Sequence, residues 1–396
     1  MNPLLTLFVV CVIDVLGFGI MVPLVPYMAD RFGATPSITT WILGSYSLCQ
    51  FLAAPLWGRL SDRFGRRPIL ISSLCGAALS YLLLAHANSL GWLLLSRALA
   101  GAMAGNVSAA MAYATDVSKP EQRARAMGTI GAAIGLGFML GPAIGGALAG
   151  NDERVANFTT PALVSFALAL LALLLVAWRL KESYPAEARA RHLADQVERG
   201  RWALLRTNPA LRLIALAALL VTFSQSTLES IFALWAMKRF SVGPAMIGYS
   251  MFMLAIVAVL MQGVLVRRLA PRYGEHRLAL LAIVSYAAGL LVVAFSPALP
   301  GVIVGLMLVG LGAGAFNPSG STLASREAGV SNRGAVMGAY QSSTALARVI
   351  GPLTSGPVYT HFGSSAPFLL GGLVTLQAIW CILGAHRRHV ATVGNA

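Results

Sequence analysis

Long apolar stretches separated by short polar turns follow one another along almost the whole chain. Each is roughly 18–26 residues long, which is enough for a helix to cross a bilayer with some tilt. The pattern predicts twelve membrane-spanning helices, at about 4–29, 39–57, 69–86, 92–114, 127–149, 161–178, 211–236, 245–266, 278–295, 301–324, 335–358 and 366–385.

One polar stretch is too long to be a turn. Residues 181–209 are rich in charge and hold too few large apolar residues to bury a core, so we expect a solvated linker rather than a separate domain. The predicted domains are an N-terminal six-helix bundle (1–180), a cytoplasmic linker (181–209) and a C-terminal six-helix bundle (210–396).

Composition and charge agree with a membrane protein. Only 11% of the 396 residues are charged, against about 25% in soluble domains. The net charge of +15 could suggest a nucleic-acid partner. However, the basic residues sit in short turns between apolar runs, so we exclude that class. Most lie in alternate turns, while the opposite turns hold only Arg31, Arg154, Lys238 and Arg239. This asymmetry predicts an inner-membrane protein with both termini in the cytoplasm.

Several landmarks recur about 210 positions apart. The basic turn at Gly58–Pro68 has a weaker counterpart at 268–274, Gly141-Pro142 returns as Gly351-Pro352, and Asn106 returns as Asn317. Two parallel six-helix halves are a known transporter design, with the substrate site near the membrane midplane. The predicted fold is therefore an all-α membrane protein of two pseudo-symmetric six-helix bundles.

Four motifs resemble those of the major facilitator superfamily, and within it the twelve-span drug:proton antiporters. The turn between the second and third spans reads GRLSDRFGRRP, and Arg97 lies in LSRALAGAMAG. The fifth span contains GFMLGPAIGG, and Asp14 with Gly17, Pro23 and Pro26 resembles the first span of the tetracycline efflux branch. The resemblance covers essentially the full length and implies proton-coupled efflux.

The chain departs from that branch in its third and ninth spans. Tetracycline exporters carry carboxylates there, whereas this chain has Leu79-Ser80-Tyr81 and Val284-Ser285-Tyr286. The resemblance therefore does not by itself imply tetracycline as substrate, nor that branch's proton route.

Charged residues well inside the spans are Asp14, Arg97, Glu229 and Arg348. A charge at such depth costs about 2.5–3.5 kcal/mol, so these groups should face a cavity or one another. We expect Asp14 to be a protonation site tuned by Arg97, because removal from water favours the protonated carboxyl group and a nearby guanidinium favours the ionised one. A permanent structural ion pair is the alternative.

Glu229 is a candidate second proton site or a contact for a cationic substrate, unless it reaches the outer surface. Arg348 would pair with Glu229 or attract an anionic group of the substrate. Other polar and aromatic residues could line the substrate cavity or serve in packing. The predicted substrate-binding set is Tyr46, Gln50, Tyr113, Gln225, Trp235, Asn317, Tyr340, Gln341 and Arg348.

Two groups of residues are candidates for conformational gating. Closely spaced glycines on the fifth span would let helix backbones approach, and a proline can bend the helix. These are Gly137, Gly141, Pro142, Gly145 and Gly146, and ordinary helix packing is the alternative. For the basic turn, the resemblance implies a charge-relay latch that holds the inner side shut, with a solvated surface charge at Asp62 as the alternative. Its residues are Gly58, Asp62, Arg63, Gly65, Arg66 and Arg67.

The sequence therefore predicts a proton-coupled antiporter that exports small, partly apolar, drug-like compounds, with tetracycline-like compounds among the candidates. A sugar or metabolite transporter of the same fold is the alternative. An enzyme is not expected, because the histidines lie at span ends or in turns. The absence of a GxxxxGKS loop argues against ATP as the driver. We expect no cofactor and no metal; the partners are the substrate, protons and the lipid bilayer, and the protein should act as a monomer.

Overall fold

The computed structural model describes residues 3–152, 155–184, 208–327 and 333–393, and every regular element in this part of the chain is a helix. The helices of the first half are α1 (Pro3–Met21), α2 (Val25–Arg31), α3 (Pro36–Phe64), α4 (Arg66–Ala85), α5 (Leu90–Ala102), α6 (Asn106–Asp116), α7 (Arg123–Ala149) and α8 (Thr159–Arg179). Those of the second half are α9 (Pro209–Phe240), α10 (Pro244–Leu260), α11 (Val266–Tyr273), α12 (Glu275–Phe295), α13 (Leu299–Arg326), α14 (Arg333–Phe362) and α15 (Ala366–Val393). Most of the predicted linker, residues 185–207, lies outside the described residues.

These helices account for the predicted spans. Within the described ranges, ten segments are long and apolar enough to cross a membrane when α1 is joined with α2, α5 with α6, and α10 with α11. The two long helices α3 and α14 account for the remaining two predicted spans. They are less apolar than the other ten segments because they carry more polar residues. The prediction of a twelve-span all-α membrane protein is confirmed.

Two spans that the pattern predicts as continuous helices are interrupted. In the first span, α1 ends at Met21 and α2 begins at Val25, because Pro23 has no N–H to continue the ladder. In the fourth span, α5 ends at Ala102 and α6 begins at Asn106. Apolar periodicity does not report such breaks, because apolar residues continue on both sides of each of them.

The internal repeat extends to backbone conformation. Gly65 separates α3 from α4 with φ of 104°, and its counterpart Gly274 separates α11 from α12 with φ of 78°. L-residues with a side chain rarely adopt such angles, so glycine is required at both turns. The repeat seen in the sequence therefore corresponds to a repeated helix–glycine–helix connection.

The chain divides into two compact units. The first contains Met1–Val197 together with Ala236–Phe252, and in it α1 packs against α7 and α8, and α4 packs against α8. Its core includes Leu7, Trp57, Leu74, Ala133 and Val176.

The second unit contains Glu198–Trp235 and Met253–Ala396. Here α12 packs against α13 and α15, and Ser224 on α9 donates a 2.8 Å hydrogen bond to the carbonyl of Gly371 on α15. Its core includes Leu211, Ile283, Phe316, Tyr340 and Ile382.

Candidate functional site

Asp14 is a buried carboxylate in the membrane-spanning part of α1. It lies about 16 Å along the helix from Pro3, and only 7% of its surface is exposed. Nδ2 of Asn106, the first residue of α6, donates a hydrogen bond to its Oδ2. Beside them is a cavity of about 10 Å³, close to the room that one water molecule needs. The hydrogen-bond donor to this buried carboxylate is thus a neutral amide.

Arg97 on α5 is a buried base, with 2% of its surface exposed. Within the described residues, its Nε and Nη2 donate to no protein acceptor, and no carboxylate forms an ion pair with it. Its electrostatic neighbours are Tyr81 and Tyr46, and Tyr81 also interacts with Asp14. The alternative of a permanent Asp14–Arg97 ion pair is therefore not what the structure shows, and Tyr81 lies near both groups.

Glu229 is the one charged residue in the middle of α9. It is exposed, whereas every other residue from Ala217 to Met237 is buried or partly buried. Nε2 of Gln225, one turn earlier, donates to its Oε1 at 2.9 Å. A helix with no exposed apolar residue over this length is not lipid-facing there, so its one exposed carboxylate should face water.

Arg348 on α14 is also exposed. No ion pair joins it to Glu229 in the described part of the chain. The pairing expected from the sequence is absent, because both side chains have access to solvent and do not need to neutralise each other.

The predicted substrate-binding residues fall into two groups. Three are in the core, which favours a packing role. The hydroxyl of Tyr113 donates to the carbonyl of Lys181 at 2.9 Å, Trp235 packs edge-on against Phe368, and Tyr340 is 5% exposed. The others have exposed or partly exposed surface, as a cavity lining requires: Tyr46, Gln50, Gln225, Asn317, Gln341 and Arg348.

The basic turn contains an ionic cluster centred on Arg66. Its Nη1 lies 2.7 Å from Oδ1 of Asp62, and its Nε lies 3.2 Å from Oδ2 of Asp116 at the end of α6. Both carboxylates are only partly exposed, so the pairs are screened less than surface pairs. The geometry fits a latch that joins the α3–α4 turn to the C-terminal end of α6.

Glu182, which follows α8 in the chain, binds the same turn through hydrogen bonds. Its carboxylate accepts hydrogen bonds from the backbone N–H of Arg66 at 2.8 Å and of Arg67 at 3.1 Å. A Cβ at Gly65 would lie 2.5 Å from Oε2 of Glu182. This lack of space, in addition to the positive φ, requires glycine at this position. Nη2 of Arg67 also donates to the carbonyl of Ala177 at 2.6 Å.

The other two predicted residues of the basic turn are Gly58 and Arg63. A Cβ at Gly58 would meet nothing within 4 Å. Arg63 is exposed and lies over the ring of Phe64.

Most of the predicted gating glycines on α7 pack against α1. A Cβ at Gly141 would lie 2.6 Å from Cα of Gly19, and one at Gly137 would lie 2.8 Å from Cβ of Val15. Gly145 abuts the backbone of Ile20. Three of the four predicted gating glycines therefore serve a seam inside the N-terminal bundle.

Gly146 and Pro142 instead meet the beginning of α10. A Cβ at Gly146 would lie 2.6 Å from the carbonyl oxygen of Pro244, and Gly248 abuts the carbonyl of Pro142. Nearby, the N–H of Ala245 donates to the carbonyl of Gly150 at 3.2 Å. These contacts explain why Ala236–Phe252 groups with the first unit.

Sequence reasoning missed several residues that hold the site. Asn106 was noticed only as a repeat landmark, and Ser73, Asp116 and Glu182 carried no predicted site role. The repeated Asn106–Asn317 pair was an available signal for a polar residue inside a span. The others depend on contacts between distant parts of the chain.

The comparisons with known proteins decide the family. The family model described as Major Facilitator Superfamily matches residues 7–299 and 214–394. The chain belongs to the Major Facilitator Superfamily. It is therefore a multi-pass membrane transporter.

Relatives in this superfamily include proteins named for drug resistance. The class B tetracycline resistance protein of Escherichia coli is 30% identical, over 95% of this chain and 92% of the relative. Multidrug resistance protein 2 of Bacillus subtilis is 27% identical, over 94% of both chains. These matches confirm the resemblance to the tetracycline efflux branch.

A solved structure extends the likeness. The human organic anion transporter MFSD10 (TETRAN) is 27% identical and superimposes with a TM-score of 0.72, covering 96% of this chain and 98% of that one. The major facilitator fold is thus supported by structure as well as by sequence.

Proposed function

We propose that this transporter is a proton-coupled antiporter that exports small, partly apolar, drug-like compounds by alternating access across the inner membrane. It acts as a monomer with both termini in the cytoplasm. The proton gradient is a suitable driver, because its electrical part supplies about 2.3 kcal/mol per charge per 100 mV. The relatives named for tetracycline and multidrug resistance support the class of activity.

The observation that carries the proposal is the environment of Asp14. An acid locked in an ion pair would stay ionised, but Asp14 is held by the amide of Asn106 beside a small cavity. A carboxyl group with a neutral partner can exist with or without its proton. Asp14 is therefore the proposed proton carrier, and Arg97, which like Asp14 lies near Tyr81, is the proposed tuning residue.

Glu229 is the proposed second acid. Glu229 is the exposed residue of an otherwise buried or partly buried stretch of α9, residues 217–237, which supports access from water, and Gln225 orients its carboxylate. Tyr46, Gln50, Asn317, Gln341 and Arg348 are the proposed contacts for substrate among the exposed and partly exposed residues.

Substrate-induced proton release from purified protein tests this assignment. The wild type should release protons into a weakly buffered solution when an exported compound is added. Asp14→Asn should abolish the release and Glu229→Gln should reduce it. Release that survives in Asp14→Asn would contradict the proposal. A panel that includes sugars and other metabolites would separate drug export from metabolite transport.

Transport of organic anions is a second candidate function. The observation that favours it is Arg97, whose buried Nε and Nη2 donate to no acceptor within the described residues. Buried donors without partners are costly, so a substrate carboxylate would be stabilised there. MFSD10, which shares 27% identity, is an organic anion transporter.

A pair of related probes distinguishes the two candidates. If Arg97 binds an anionic group, an aromatic carboxylate should bind better than its methyl ester. Arg97→Gln should remove that preference, and Arg97→Lys should retain part of it. Equal binding of acid and ester by the wild type would exclude the anion hypothesis.

A further inference from the structure

The interruption of the fourth span is held by side chains from neighbouring helices. Oγ of Ser73 on α4 accepts hydrogen bonds from the N–H groups of Gly105 and Asn106, both at 3.0 Å, and donates to the carbonyl of Met103. Nε1 of Trp57 on α3 donates to the carbonyl of Ala102 at 2.6 Å. Backbone groups that a helix break leaves open are thus satisfied by dedicated partners.

Glycine makes this arrangement possible. A Cβ at Gly105 would lie 2.7 Å from Cγ of Trp57, so a larger residue would push the indole away. At Gly76 on α4, a Cβ would collide with the side chain of Met103. The break is therefore packed tightly from two sides and is a defined feature of the fold.

The break places Asn106 at the start of a new helix, next to Asp14. The first turn of α6 and Asp14 line the same small cavity, through Asn106, Val107 and Ala110. The N-terminus of a helix carries a partial positive charge, and a side-chain amide donates to a carboxylate; both effects stabilise the ionised acid. Discontinuous helices at ligand sites are a recurrent device in transporters.

We propose that Asn106 is a positioning residue for proton exchange at Asp14, and that Ser73 holds the helix break in the geometry that lets Asn106 donate. Asn106 sets the pH at which Asp14 binds and releases its proton. A movement of α6 relative to α1 would withdraw the amide and favour proton uptake, which couples conformation to protonation. This inference rests on the proposed function, because it takes Asp14 as the proton carrier.

Other titratable groups near Asp14 are few among the described residues. Cys11 on α1 and Tyr81 on α4 interact with it electrostatically. The titratable residues of the packed helices α6, α7 and α8 lie toward the helix ends: Tyr113, Asp116, Arg123, Arg125 and Arg179. None of these donates to the Asp14 carboxylate as Asn106 does.

An infrared titration of the purified protein tests the inference without requiring transport. The carbonyl stretch of protonated Asp14 is identified by its loss in Asp14→Asn. Asn106→Leu keeps the approximate size but removes the donor, so the band should titrate about one to two pH units higher than in wild type. Asn106→Gln, which keeps an amide donor, should move it less.

Two further variants complete the experiment. Ser73→Ala should shift the titration in the same direction as Asn106→Leu, because it releases the break without touching Asp14. Thr115→Val, which removes a hydroxyl from the same helix α6 about two and a half turns away, should leave the titration at the wild-type pH.

Asp14 titrating at the wild-type pH in both Asn106→Leu and Ser73→Ala would overturn the inference. If the band shifts as expected but substrate causes no proton release, the role of Asn106 is supported and the proposed antiport is contradicted. The two failures are therefore distinguishable.

Discussion

Adding a methyl group at Gly146 should loosen the contact between α7 and α10. The new Cβ would lie 2.6 Å from the carbonyl oxygen of Pro244 and 2.9 Å from Cα of Ala245. Both distances are shorter than real Cβ contacts, and backbone atoms cannot rotate away, so the helices must separate. Overpacking of this kind costs about 1–3 kcal/mol. Alanine also has a higher helix propensity than glycine, but this gain is the same whether the α7–α10 contact is open or closed. It therefore does not change the free energy of opening.

Hydrogen–deuterium exchange measures this effect locally. In Gly146→Ala, opening of the contact should increase by about 5- to 150-fold, and amides in residues 241–252 should exchange faster by that factor. The N–H of Ala245, bonded to the carbonyl of Gly150, should report it directly. Gly131→Ala is the matched control, because on the same helix its Cβ would meet nothing within 4 Å. Wild-type exchange of 241–252 in Gly146→Ala would refute the reasoning.

Three further predictions concern the latch, the core and an ion pair between α2 and α9. Asp62→Asn removes one partner of Arg66 while Asp116 remains, so substrate affinity should stay nearly constant and transport should slow; strongly weakened binding would contradict this. Trp235→Ala should lower the free energy of unfolding by about 3–5 kcal/mol. Trp178→Ala, at a side chain that is 83% exposed, should change it by less than about 0.5 kcal/mol. Equal melting temperatures of the two variants in detergent would argue against a packing role for Trp235. Nζ of Lys238 lies 3.0 Å from Oδ1 of Asp30. A double-mutant cycle of Asp30→Asn and Lys238→Gln should give a coupling free energy of about 0.2–1 kcal/mol that disappears in high salt. A larger coupling that does not depend on salt would contradict this prediction.

The spans, the class of the protein and the charges within the membrane could be predicted because they depend on local pattern. A run of apolar residues long enough to cross a bilayer is readable without tertiary information, and so is Asp14 within such a run. The Gly65–Gly274 correspondence was readable for the same reason, since a repeated turn repeats its sequence.

The partners of the site residues could not be predicted in this way. Asn106 reaches Asp14 from 92 positions away, across a helix break that apolar periodicity does not reveal. Tyr113 and Trp235 looked like cavity residues by chemical type, but whether an aromatic side chain points into the core depends on its helix's rotation. Likewise, spacing shows that the glycines of α7 share a face, but not that Gly141 meets α1 while Gly146 meets α10.

Transport in sealed proteoliposomes under an imposed pH gradient is the most direct test of proton-coupled export. With wild-type protein, the gradient alone should drive a compound against its own concentration gradient, and dissipating it should stop accumulation. Asp14→Asn should still exchange labelled for unlabelled compound, yet fail to accumulate it. Uphill accumulation by Asp14→Asn equal to that of the wild type would contradict the account.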